Sequence, residues 1–259
     1  MFFSLVIVNY RTYNLTRNCL QSFFDHCPTA NFEIILVDNA SGDQSIEKIA
    51  AEFGEKIKII KNQTNLGFGP ANNQGAKIAR GDWLFFVNSD TIIENDILSS
   101  LEKFIAQHPR SAIIAPRLLD SQKIPQAAAF GKMPTLSQII KKNVQPKLKL
   151  KPEEIDWVSG AALLIKKTVF DEVKGWDEKF FMYLEDTDLC WRVKKLGYAV
   201  SLCPEATIIH FGGQSFSDNK IKRKYYFLSQ NYFFRKHYGR LTELLMRVIR
   251  LPYKLWVLR

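Results

Sequence analysis

Trp83-Leu84-Phe85-Phe86-Val87-Asn88-Ser89-Asp90 passes from an unbroken apolar run straight into three polar residues. A run of this length without polar alternation suits a strand buried on both faces, and the abrupt change marks where the strand leaves the core. The same transition recurs upstream. Leu5 to Val8 leads into Asn9-Tyr10-Arg11, Glu33 to Val37 into Asp38-Asn39-Ala40-Ser41-Gly42-Asp43, and Ile57 to Ile60 precedes Asn65-Leu66-Gly67-Phe68-Gly69. Amphipathic segments near 13 to 25, 44 to 53, 70 to 79 and 95 to 106 read as the helices of the same alternation. Strands alternating with helices predict an α/β fold, a mostly parallel sheet with helices on both faces. Ligands of such sheets bind beyond the C-terminal strand ends, where these polar clusters fall.

The chain has 259 residues, 46% hydrophobic and 24% charged, with 13 glycines and 10 prolines. That balance excludes disordered, collagenous and disulfide-scaffold classes and fits one large domain, or one domain with an appendage. The formal charge is +10, from 36 basic and 26 acidic residues. Residues 220–259 hold 11 of the basic residues and a single acidic one, Glu243, which leaves 25 of each sign elsewhere. A neutral body with a basic tail disfavours a nucleic-acid cleft and suits a tail that meets an anionic surface. Cys19, Cys27, Cys190 and Cys203 occur singly, so reduced thiols in a cytosolic protein are expected. The apolar start, Met1 to Val8, lacks a basic leader and a small-residue cleavage site, and reads as a first strand rather than a signal peptide. No apolar run approaches the ~20 residues needed to span a bilayer.

From about Ile113 the pattern changes to shorter strand-like pieces. Gly131 to Pro152, rich in Lys, Pro, Asn and Gln, reads as a long mobile loop. Order resumes at Ile155-Asp156-Trp157-Val158-Ser159-Gly160-Ala161; a helix starts near Glu185, one strand covers Ala199 to Cys203, and another ends at His210.

Several residues in this frame can carry chemistry, each with a plainer alternative. Asp90 should stand at a strand tip, where a carboxylate holds a hard divalent ion bridging phosphates or simply caps a helix or turn. Asp38 can accept the imide N–H of uracil or thymine, or serve turn chemistry. The glycines at 67, 69 and 75 permit close approach of a phosphate or sugar, without forming a dinucleotide fingerprint. Phe180-Phe181-Met182-Tyr183-Leu184-Glu185-Asp186-Thr187-Asp188 places three carboxylates at a helix start. Asp188 and Arg192, four apart, should pair; Glu185 and Asp186 fit a general base or complement the helix dipole. His210 is a lone strand-end histidine, either packed or a metal ligand.

Their order and spacing resemble family 2 of the inverting nucleotide-sugar glycosyltransferases, with the GT-A fold, and especially its bacterial rhamnosyltransferase-like branch. Val6-Ile7-Val8-Asn9-Tyr10, Val37-Asp38-Asn39-Ala40-Ser41, Asn65-Leu66-Gly67-Phe68 with Asn73 and Gly75, Asn88-Ser89-Asp90, Val158-Ser159-Gly160-Ala161, Gly175-Trp176-Asp177-Glu178 with Phe180-Phe181, Glu185-Asp186 and His210 match in order, over residues 3 to 215. The resemblance implies that Asp38 recognises the base and that Asp90 is the last aspartate of the D-x-D metal motif. It further implies Asp186 as the catalytic base, with Glu185 beside it, and His210 as a ligand completing a Mg²⁺ or Mn²⁺ site with Asp90. Asn9, Tyr10, Arg11, Asn65, Gly67, Asn73, Asn88 and Ser89 would be donor-binding, and Trp157, Ser159, Gly160 and Glu185 would line the acceptor side. Asn88 stands at the first D-x-D position, which implies weaker metal binding than two aspartates give.

The expected protein is therefore an inverting hexosyltransferase, the rhamnosyl case included, acting in cell-surface polysaccharide synthesis. It would take a dTDP-, UDP- or GDP-sugar to a hydroxyl of a glycan or polyprenol-linked acceptor. A nucleotidyltransferase would want a glycine-rich basic loop after the first strand, and Tyr10-Arg11-Thr12-Tyr13-Asn14 has no glycine; an inactive glycan-binding scaffold of the same fold is the other alternative. The expected domains are 1–215, catalytic, with a nucleotide-sugar half to about 112 and an acceptor half from 113, and 216–259, a basic aromatic helical extension. In the tail Leu241, Leu244, Leu245, Val248 and Ile249 follow helical spacing, accompanied by Arg240, Arg247 and Arg250, and Pro252 should end or kink that helix. Such a segment either packs on the domain or lies on an anionic membrane, which would make the protein cytoplasmic and peripheral at the inner face of the cell membrane.

Overall fold

A computed structural model of the protein describes residues 1–127, 129–135, 155–212 and 219–257. The first half alternates as expected: β1 (Phe3–Asn9), α1 (Tyr13–His26), β2 (Phe32–Asp38), α2 (Ser45–Phe53), β3 (Ile57–Lys61), α3 (Phe68–Ile78) and β4 (Trp83–Asn88). There follow β5 (Thr91–Ile92), α4 (Ile97–Gln107), β6 (Ser111–Leu119), β7 (Phe130–Gly131), β8 (Trp157–Val158), β9 (Ala162–Lys166), α5 (Lys167–Glu172), α6 (Glu185–Lys195), β10 (Ala199–His210), α7 (Asn219–Tyr238) and α8 (Arg240–Val257). The main sheet runs β3-β2-β1-β4-β9-β6-β10-β5. It is parallel through β3, β2, β1 and β4, whereas β9 runs antiparallel to both β4 and β6.

The apolar runs are unbroken because both faces of the sheet are covered. On one face Leu5, Ile7, Phe85 and Val87 pack with Leu20 and Phe23 of α1, Ile49 of α2 and Leu101 of α4. On the other, Val6, Leu84 and Phe86 pack with Ala71 and Ala76 of α3, Phe170 of α5, Trp176, and Leu189 and Val193 of α6. Gly75 is where α3 sits directly on the sheet: a Cβ there would collide with Val6 Cγ1. α4 starts at Asp96, whose carboxylate accepts from Ser99 N (3.1 Å) and Ser99 Oγ (2.6 Å).

Three sequence expectations change. The two strands expected at Ala199 to Cys203 and up to His210 are one, β10, whose pairing with β6 jumps between Cys203 and Thr207. Pro204-Glu205-Ala206 fall in that irregularity, where a bulge absorbs a proline that cannot donate to the ladder. The loop expected from Gly131 to Pro152 begins with Gly131 already in β7, and its residues 136–152 lie outside the described ones. In the tail, α8 runs through Pro252 to Val257 rather than ending there.

The two tail helices differ in how fully they are packed. α7 is packed: Phe233 and Phe234 are fully buried with Phe180 and with Met246 of α8, and Trp191 of α6 meets the Phe233 ring edge-on. α8 turns Met246 inward, while Leu241 (84% exposed), Leu244 (60%), Leu245 (45%) and Val248 (61%) face outward. The link to the body is also electrostatic. Asp188 of α6 is wholly buried and meets Arg192 Nε (2.8 Å), Lys236 Nζ (2.6 Å) and His237 Nε2 (2.7 Å). His237 and the cations around it hold this carboxyl below its ordinary range against the opposing effect of burial.

Replacing Asp188 with Asn strands these cations. We expect Asp188→Asn to lower unfolding free energy at pH 7 by about 3–5 kcal/mol in denaturant titrations. Because the folded carboxyl titrates below its unfolded value near 4, the wild-type advantage is complete above that pH and is lost as pH falls through the folded value. An advantage unchanged down to pH 2 would refute the assignment.

Candidate active site

The polar strand ends gather along one edge of the sheet, and β1–β2 register sets the first pair: Asn9 lies opposite Asp38. Asn9 donates to Asp38 Oδ1 (2.8 Å), Ser41 Oγ (2.9 Å) and Ser45 Oγ (3.2 Å), and accepts from Thr12 Oγ1 (3.1 Å) and Thr16 Oγ1 (2.8 Å). Its side chain is buried and committed, so it orients Asp38 from beneath. Ser41 adds a 2.5 Å bond from Oγ to Asp38 Oδ1 and a 3.3 Å bond from its N–H to Oδ2. Arg11 closes the same turn, donating from N to Ser41 Oγ and from Nε to Ser41 O, with its guanidinium over the Tyr10 ring.

Asn39, which sequence reasoning quoted in a motif but gave no role, organises the neighbouring loop. It donates to Asn65 Oδ1 (2.9 Å) and Gly67 O (3.1 Å), and accepts from Asn62 Nδ2 and Leu66 N. Its place directly after the Val37-Asp38 strand end was the only signal the sequence carried. Gly67 has φ +89°, and a Cβ on it would lie 2.7 Å from Phe181 O. Its glycine character is thus explained by the protein's own aromatic loop, with no ligand invoked. Asn73 likewise spends its side chain on the protein: Nδ2 donates to Trp176 O and Glu178 Oε1, and Oδ1 accepts from Trp176 N.

The third strand end forms a second corner. Ser89 Oγ bonds Thr12 Oγ1 (3.1 Å), and after Asp90 the chain enters β5, which pairs antiparallel with β10 so that His210 stands opposite Thr91. This pairing unites residues 120 positions apart: Asp90 Oδ1 lies 3.4 Å from His210 Nε2, and Phe211 N donates to Asp90 O. The far side of the imidazole is held by Gln126, an unpredicted residue, whose Oε1 is 3.0 Å from Nδ1 and whose Nε2 donates to His210 O (2.7 Å). A carboxylate oxygen and an imidazole nitrogen side by side make a pair of donors that can serve a divalent cation. Among the described residues no third His, Cys, Asp or Glu joins them.

Asn88 N donates to Ala161 O (2.9 Å), which ties this corner to the turn after β8. One residue earlier, Gly160 N donates to Asp186 Oδ2 (3.0 Å). Asp186 Oδ1 also accepts from Thr187 N (2.6 Å) and Thr187 Oγ1 (3.2 Å). The residues before it, Tyr183 (φ 73°) and Leu184 (φ 65°), are both left-handed, a strain of about 1–3 kcal/mol each that the packing of the aromatic loop sustains. Glu185 is buried, and its Oε2 has no partner. Burial, reinforced by the Asp186 charge, pushes its carboxyl up to about 8. Burial raises Asp186 as well, but three donors favour its charged form. Two adjacent carboxyls here cannot both ionise cheaply, and the unpartnered Oε2 of buried Glu185 against the three donors on Asp186 favours the proton on Glu185.

Of the residues expected on the acceptor side, Trp157 donates from Nε1 to Lys132 O (2.9 Å) beside β7, and Ser159 Oγ accepts from Ala161 N (3.2 Å) across the Gly160 turn. All four cysteines are buried and unpaired; burial pushes Cys19 up to about 12 and Cys27 up to about 11, so neither is a nucleophile.

The family profile described as Glycosyl transferase family 2 matches residues 4–173. The N-acetylglucosaminyl-diphospho-decaprenol L-rhamnosyltransferase of Mycobacterium tuberculosis (strain ATCC 25618 / H37Rv) is 25% identical over 207 residues, covering 70% of this chain and 67% of its own. Rhamnosyltransferase WbbL of Escherichia coli (strain K12) is 28% identical over 196 residues, 70% of this chain and 73% of its own. Among solved structures, GalNAc-T7 with UDP, GalNAc and Mn²⁺ superposes with a TM-score of 0.68 at 17% identity, over 96% of this chain; the chain spans 54% of that structure's length. The fold is GT-A.

The raised Glu185 carboxyl has a thermodynamic signature. Between about pH 4.5 and 8 the unfolded chain loses this proton while the folded protein keeps it, so wild-type stability falls as pH rises through that window. Glu185→Gln removes the titration. We expect its melting temperature to exceed wild type at pH 8 by several degrees, corresponding to a few kcal/mol at about 2–4 °C each, and to converge with wild type near pH 4.5. A constant difference across that range would show that Glu185 is ionised in the folded protein.

Proposed function

Because the chain belongs to glycosyl transferase family 2, we propose that it transfers a hexose from a nucleoside-diphosphate sugar to a hydroxyl of a glycan or polyprenol-linked acceptor, with inversion. The observation that carries this reading is the half-buried Asp186 carboxylate, aimed by Gly160 N from a turn bonded directly to the Asn88-Ser89-Asp90 corner. This connection supports a reading in which acceptor activation and diphosphate departure occur on two sides of one hydrogen-bonded turn.

Asp38, oriented by Asn9 and Ser41, accepts the imide N–H of a uracil or thymine base. Arg11 stands at the mouth of that pocket as a cation for the donor. Asp186 takes the proton of the acceptor hydroxyl as its oxygen bonds to the anomeric carbon. The glycosidic C–O bond to the diphosphate breaks on the opposite face, and its electron pair stays on the nucleoside diphosphate. Glu185, protonated at neutral pH, leaves the negative charge of the pair on Asp186. Asp90 and His210 would hold Mg²⁺ or Mn²⁺, which when bound supplies neutralising charge to the departing diphosphate. The rhamnosyl relatives and the lipid-diphosphate acceptor in the name of one of them support a lipid-linked acceptor here.

A membrane-bound acceptor also gives α8 a purpose. Its outward Leu241, Leu244, Leu245 and Val248 lie beside Arg240 and Arg247, as on a helix resting at an anionic lipid interface. Among the described residues no helix is long and apolar enough to cross a membrane.

Two experiments test these readings. Asp186→Asn keeps the shape of the side chain but cannot accept the proton, so turnover should fall by ~10² to 10⁴ while donor affinity stays within about threefold. Near-normal turnover at saturating acceptor would transfer the role to Glu185. For the helix, we expect Leu241→Glu with Leu244→Glu to abolish salt-sensitive sedimentation with phosphatidylglycerol vesicles and to leave hydrolysis of soluble donor intact. These exposed positions are better probes than deletion of 240–259, which would also strip Met246 from Phe233 and Phe234. Equal sedimentation of variant and wild type would reject the membrane role.

A further inference from the structure

Gln126 lies on the hairpin that follows β6, outside every motif that carries the family resemblance. Its backbone is held at that hairpin: Gln126 N donates to Leu118 O (2.9 Å), Ala129 N donates to Gln126 O (3.3 Å), and Leu119 bridges Pro125. Asp120 closes the turn by accepting from Gln122 N and Ile124 N. The side chain therefore approaches His210 from a rigid base, and β6–β10 pairing sets Leu119 opposite Ile209, next to it.

The two bonds from Gln126 decide where the imidazole proton sits. His210 O is a carbonyl and can only accept, so the amide nitrogen of Gln126 must face it, at 2.7 Å. The amide oxygen then faces Nδ1 at 3.0 Å, and since that oxygen too can only accept, Nδ1 carries the proton. Nε2 of the neutral ring is left with its lone pair, directed at Asp90 Oδ1 3.4 Å away. Two acceptor atoms facing each other at that distance repel unless a proton or a metal cation joins them.

We propose that Gln126 is a positioning residue for the cation site: its amide holds the His210 ring in the Nδ1–H tautomer and presents the Nε2 lone pair to a divalent metal shared with Asp90. The proposal rests on the reading of Asp90 and His210 as metal ligands. It extends that site by an outer partner from a segment distant in sequence, the arrangement that fixes ring orientation in other histidine–metal centres. Gln126 touches neither donor nor acceptor in this account and acts through His210 alone.

The test uses the full chain, with Mn²⁺ and UDP as probes. In metal-free protein labelled with ¹⁵N-histidine, at a pH of about 8.5 where an ordinary imidazole is neutral, wild-type His210 should show the Nδ1–H tautomer, its signals identified by their loss in His210→Asn. Gln126→Met, of similar length but without the amide, should move His210 toward the Nε2–H tautomer. In the same variant Mn²⁺ affinity in the presence of UDP, read by electron paramagnetic resonance, should weaken 10- to 100-fold, while UDP affinity in EDTA is unchanged. A wild-type His210 in the Nε2–H form overturns the proposal, and this arm needs no variant to fold. Unaltered Mn²⁺ affinity in a folded Gln126→Met overturns it as well. Should wild type bind no Mn²⁺ with UDP, or Asp90→Ala bind it as tightly as wild type, the metal reading itself fails, whatever tautomer the nitrogen spectrum reports.

Discussion

Asp188 is fully buried and ionised, and a carboxylate in that position is tolerated only where cations are brought to it. One, Arg192, comes from the next turn of its own helix; another, Lys236, comes from α7, some fifty residues further along the chain, and His237 of the same helix also meets the carboxylate. Matching this single charge thus draws α7 onto α6, and Phe180, Trp191, Phe233 and Phe234 seal the contact with apolar surface. Lys236 extends the pairing to Asp177, which Tyr232 also reaches at 2.8 Å. The loop between Asp177 and Glu185 is consequently clamped at both ends, which is what lets Tyr183 and Leu184 persist in left-handed conformations immediately before Asp186. The loop that leads into Asp186 is clamped by residues of α7 that lie well beyond the 4–173 span of the family profile.

A second layer of the architecture is built from asparagine. Asn9, Asn39 and Asn73 each sit where a loop must be joined to another loop, and each uses both ends of its amide on the protein. An amide offers two donors and two lone pairs in one plane, so a single buried side chain can fasten two or three backbone segments without bringing a charge into the core. The placement also explains why such residues stand next to reactive ones. Asn9 sets the direction of Asp38, Asn39 shapes the 62–67 turn beside it, and Asn73 locks the Trp176 turn against α3. Gly67 and Gly75 complement them from the steric side, by letting Phe181 and Val6 approach the backbone closely.

The tail shows how two basic helices of different pattern, one rich in aromatic residues and one amphipathic and rich in leucine, pack differently. α7 supplies aromatic rings to a cleft already lined by Phe180, Leu184 and Trp191, and its cations find buried acids. α8 meets no comparable surface: Met246 and Arg250 occupy the contact with α7, Arg250 donating to Gln230, and its leucines are left facing outward.

Much of this was legible in the chain. Runs such as Leu84–Val87 have no polar residue to give a sheet an exposed face, so the two-sided burial, the four strands of the first half and the polar strand ends beyond them followed from hydrophobic pattern alone. Asp38, Asp90, Asp186 and His210 were nameable because reactive side chains at strand and helix ends stand out against that pattern. The pattern was silent on partnership. It did not show that Asn9 and Asn73 bond their side chains to other segments of the protein, that β10 continues through Pro204, that Gln126 backs His210, or which of two adjacent carboxyls keeps its proton. Each of these depends on contacts between segments far apart along the chain, set by strand register and by the need to satisfy every buried polar group, and neither quantity exists until the sheet has closed.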